Sequence, residues 1–101
     1  MDEIFNWLKD QKGGTGTYIE FQHRMLALRL VDTQNAALAR LLADLAGRFA
    51  DAYDSAPLPV SVASEALACL TDYVAKAVRA RDSSAADRLT LLNEIGLAEL
   101  T

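Results

Sequence analysis

Three observations predict an all-α protein. Apolar residues recur at helical spacing along most of the chain, the breaks between them carry helix start and stop signals, and no stretch shows strand-like alternation. At 101 residues, about half of them apolar, the chain makes a single helical domain with a modest core. The pattern predicts a helical hairpin or three-helix bundle: one very long central helix plus a short N-terminal helix, completed by dimerisation into a larger helical bundle.

Residues 1–16 read as a short helix and a glycine-rich linker. Asp2 caps the helix, and Ile4, Phe5, Trp7 and Leu8 form one broad apolar face. Lys12-Gly13 is a good ending, because glycine enters the left-handed region without steric cost. The linker Gly13-Gly14-Thr15-Gly16 is flexible enough to hold this first helix loosely, and its apolar face is expected to dock on the Tyr18 to Val31 region of the bundle rather than serve as a detachable anchor.

Thr17-Tyr18-Ile19-Glu20 then reads as a capping box that opens a helix over 17–54. The segment has no proline and stops at Asp54-Ser55-Ala56-Pro57-Leu58-Pro59. From Tyr18 to Asp54 a straight helix would run about 55 Å. A compact domain of this length, with a radius of gyration near ~13 Å, is much narrower. Such a chain must be rod-like, kinked, or completed by a partner. A helix over 60–81 follows, with Lys76, Arg79 and Arg81 at its negative end, and a last one over 84–100, capped by Ser84 and Asp87.

In heptads, the central segment shows two rows. Phe21, Leu28, Asn35, Leu42 and Phe49 form one; Arg24, Val31, Leu38, Leu45 and Ala52 form the other. The C-terminal half is polar on its far side, at Arg40, Asp44, Arg48 and Asp51. The N-terminal half instead repeats an apolar pattern there: Ile19, His23, Leu26, Leu30. Leaving Ile19, Leu26 and Leu30 uncovered would forfeit roughly 1.5–3 kcal/mol each. The expected interface therefore comprises Ile19, Phe21, Leu26, Leu28, Leu30, Val31 and Asn35. Its occupant is a second copy, as a homodimer, or another protein's helix; Asn35 either lies at the seam's edge and sees water or sets the register across the interface.

Composition narrows the function. Fourteen acidic against ten basic residues leave a net charge of −4, a poor match to nucleic acid. The charge-free run Ser55 to Ser64 holds two prolines and is too short to cross a bilayer. Met1-Asp2-Glu3 is acidic where a secretory leader is basic, and a lone Cys69 makes no internal disulfide. A cytoplasmic location is the expectation.

Few residues point to chemistry. Lys12-Gly13-Gly14-Thr15-Gly16-Thr17 has the glycines of a phosphate-cradling loop, but Thr17 replaces the second lysine and no apolar strand precedes it. Glu20 and His23 have the Glu-x-x-His spacing of di-metal helical bundles, so a metal site would need a second chain. A reachable His23 on a dimeric bundle would also serve phosphotransfer. Cys69 falls on the stripe Val62, Ala66, Cys69, Tyr73, as a small apolar residue. The reading that results is a small, non-enzymatic interaction or regulatory module without cofactor. Its alternative is chemistry centred on His23.

Overall fold

The computed structural model describes residues 1–100 and contains five α-helices, with no strand among the described residues. They are α1 (Asp2–Lys9), α2 (Thr15–Val31), α3 (Ala36–Ala52), α4 (Val60–Ala80) and α5 (Ala85–Leu97). The all-α expectation holds, but the continuous helix over 17–54 does not. The chain reverses at a 3-10 turn, Thr33–Asn35, and α3 runs back antiparallel along α2. Tyr18 meets Phe49 with ring centroids 4.6 Å apart, and Gln22 lies over Gly47, so residues equidistant from the turn face each other. The longest dimension is therefore 40 Å, with a radius of gyration of 13.0 Å, rather than a 55 Å rod.

The break is local chemistry. Asp32-Thr33-Gln34-Asn35 puts four polar residues in succession, three of a kind whose side chains compete with helical backbone bonds. The Asp32 N–H still donates to the Leu28 carbonyl at 2.8 Å, after which its backbone leaves the helix at φ −110°, ψ 73°. Asn35 Nδ2 then donates to Asp32 Oδ2 at 2.9 Å and staples the turn.

Small residues explain why α2 and α3 lie so close. Ala39, Ala43, Ala46, Gly47 and Ala50 of α3 are all buried, and a Cβ on Gly47 would collide with the Gln22 carboxamide. The large core side chains come from every helix: Ile4 and Leu8; Tyr18, Phe21 and Met25; Leu38, Leu42, Leu45 and Phe49; Leu70 and Val74; Leu91 and Ile95. Each contributes roughly 1.5–3 kcal/mol by leaving water. The core row of α2 is Tyr18, Phe21, Met25 and the half-buried Leu28, itself a three-four-three step. Arg24 and Val31, assigned to the seam by the heptad rows, are exposed.

The ends of the helices also depart from expectation. Thr17 and Glu20 form no capping box: α2 begins at Thr15 with Gly14 as an unassisted cap, and Glu20 Oε1 instead accepts from Arg24 Nε at 3.0 Å. The first helix ends at Lys9, before Gly13, and it docks on the bundle. Leu8 is fully buried, α1 packs on α4 and α2, and the Arg24 guanidinium sits 4.4 Å above the Trp7 ring. Gly13, at φ +83°, lets the linker turn tightly against α4, where a Cβ would stand 3.3 Å from the Ala63 carbonyl oxygen. Ser84 does cap α5, its hydroxyl accepting from the Asp87 N–H at 3.1 Å. Beyond α5, Arg48 holds the returning tail through Glu99 at 3.6 Å and the Ala98 carbonyl at 3.3 Å, and Leu100 is buried.

Candidate docking surface

The two ends of the bundle differ. At the end away from the hairpin turn, Tyr18, Phe49 and Tyr53 stack in a row, with centroids 4.6 Å and 5.2 Å apart. The Tyr18 hydroxyl donates to the Ala63 carbonyl at 3.2 Å, and burial pushes its phenol up to about 12.

The hairpin end is open. A groove of about 420 Å³ lies between the start of α3, the end of α4 and the start of α5. Leu38, Leu91 and Leu92 line it, Ala77, Ala80 and Ala85 keep its walls low, and Arg81 and Arg88 stand among them. A shallower hollow of about 550 Å³ opens between α1 and the end of α2, at Ile4, Ala27, Leu28 and Val31. A recess of about 40 Å³ beside Met1, Asn35 and Leu38 lies between them. Arg81 Nη1 reaches Asp2 Oδ2 at 3.3 Å, tying the start of α1 to the end of α4 across this recess. Val31, 81% exposed, and Leu89, 57% exposed, line the openings, and Leu30, 68% exposed, is the chain neighbour of Val31.

The structure divides the residues expected at an interface. Leu30 and Val31 stand in solvent at this end, and Ile19 is exposed on the same helix about three turns away. Leu26 and Leu28 are half-buried against the core, and Phe21 is fully buried within it. Asn35 is a turn residue bonded to Asp32, not a register amide across a seam. The groove between α3, α4 and α5 was missed, because its lining comes from segments remote in sequence. Its one local signal was Leu89, an apolar residue beside Arg88 on a helix otherwise read only for its cap.

The chemistry-bearing candidates remain separate. His23 is exposed, and Glu20, three residues before it, is engaged by Arg24. No three His, Cys, Asp or Glu side chains converge on a common point among the described residues. Burial pushes the Cys69 thiol up and Asp72 adds to it, against a smaller opposing effect of Lys76, the wrong direction for a nucleophile. Toward the end of α4, Lys76 bonds Glu94 at 3.2 Å and Asp72 at 3.4 Å, and the Glu94 hydrogen bond raises its ammonium pKa.

Fold and surface together define a small all-helical protein with a buried aromatic row toward one end and apolar hollows at its hairpin end. Comparison with protein-family models, curated proteins and solved structures finds no match to this chain. No helix among the described residues is long and apolar enough to cross a membrane.

Proposed function

We propose that this chain is a non-enzymatic interaction module that docks a partner's helix at the hairpin end of its bundle. One observation carries the reading: the adjoining hollows at that end are lined by Val31 and Leu89, both well exposed, with the exposed Leu30 next to Val31. Exposed apolar residues gathered around concavities are what helix-in-groove recognition uses. In the absence of that partner, the same surface supports concentration-dependent self-association.

The test is Leu30→Asp combined with Val31→Asp. Both side chains point into water, so the variant keeps its helical circular dichroism and its unfolding midpoint. Molar mass by light scattering is expected to lose its concentration dependence, and fluorescence of an apolar dye is expected to fall at least two-fold. If wild type and variant are identical in both measurements, this end of the bundle is ordinary surface and the reading is wrong.

A further inference from the structure

From the charge around the groove between α3, α4 and α5, we infer that its occupant is an acidic amphipathic helix of another protein. This rests on the interaction-module reading and adds the chemistry of the partner. The chain carries a net charge of −4, yet among the described residues the charged ones lining this groove are Arg81 and Arg88, with no carboxylate. Arg81 already holds Asp2, whereas Arg88 makes no ion pair among the described residues. Arg88 is also placed against local preference. It is the fourth residue of α5, near the positive end of the helix dipole, where a cation is unfavourable and a carboxylate favoured. A carboxylate arriving from a partner would offset both costs, and guanidinium is the cation best suited to hold it in two-point contact.

The walls specify a helix. Ala77, Ala80 and Ala85 leave room for a backbone to come close, as the buried alanines of α3 do for α2 within the chain. Leu89 and Leu92 then meet anchors spaced at i, i+3 and i+7 on the incoming face. A second copy stacked end to end is a weaker occupant. Meeting groove to groove, it would bring the Arg81 and Arg88 guanidiniums of the two copies together, and like charges oppose that contact.

The experiment uses fluorescence polarisation of the full chain with two labelled helical peptides. They share leucines at i, i+3 and i+7 and differ in carrying Glu or Lys on the flanks. The Glu peptide is expected to bind about ten-fold more tightly than the Lys peptide at low salt, with the ratio shrinking as salt is added. Arg88→Glu is expected to erase the ratio without unfolding the chain, since it puts an acid in the first turns of α5. Leu89→Asp should weaken both peptides. Failure of both peptides to bind overturns the inference, as does a preference for Lys or a Glu preference that survives Arg88→Glu. Equal binding of the two that Leu89→Asp still weakens overturns the charge assignment alone and leaves the interaction module standing.

Discussion

Tyr18 shows how one side chain ties this fold to solution conditions. Its ring is fully buried against Phe49, and its hydroxyl meets the Ala63 carbonyl at 3.2 Å. Burial raises the phenol from its ordinary 10.0 to about 12, so the unfolded chain gives up this proton first as pH rises. The stabilising contribution is therefore complete below pH 10 and lost between 10 and about 12. At ~1.4 kcal/mol per unit, the loss is on the order of 2–3 kcal/mol. Urea unfolding across that window should show the decline. Tyr18→Phe should flatten much of it, while costing about 0.5–1.5 kcal/mol near neutral pH for the lost hydrogen bond. Tyr73, whose pKa is also raised chiefly by burial, leaves a residual slope of the same sign. An unchanged slope in Tyr18→Phe would mean that this phenol is not the titrating group.

Among the elements, the α2–α3 hairpin is the decisive one. A heptad pattern survives a reversal of direction, because two helices folded onto each other need the same alternating steps as one long helix in a seam. The apolar rows therefore could not distinguish the two arrangements. The informative residues were the four polar ones, Asp32 to Asn35, and they act through side chain–backbone competition rather than through proline or glycine. Replacing three of them by helix formers, as Asp32→Ala, Thr33→Ala and Asn35→Ala together, should straighten the turn. The α3 of one copy would then pack on the α2 of another, a domain swap that doubles the molar mass in light scattering. A monomer with wild-type stability would show that the turn is held by the alanine-lined packing of α3 rather than by its own residues.

For the molecule as a whole, stability rests on the shared apolar core. The six ion pairs among the described residues all join side chains at least 36% exposed, and such pairs contribute little. Raising sodium chloride from ~0.05 to ~0.5 M should change unfolding free energy by less than about 1 kcal/mol. Binding of an acidic helix at Arg88 should weaken steeply over the same range. A large salt effect on folding would reassign much of the stability to surface charge.

Helical class, the stops at the two prolines, the bounds of α4 and the Ser84 cap were legible from residue types alone, since each depends on neighbours within a turn or two. The two-sided apolar character of residues 18 to 31 was legible too, but not which side faces the core. Packing settled that, by placing Tyr18, Phe21 and Met25 inward and leaving Leu30 and Val31 in water. Only tertiary structure decided where the chain doubles back, that α1 docks, and that α3, α4 and α5 enclose a groove with two guanidiniums on it. Those outcomes depend on segments tens of residues apart meeting in space, and local preferences carry no record of which distant surfaces will meet.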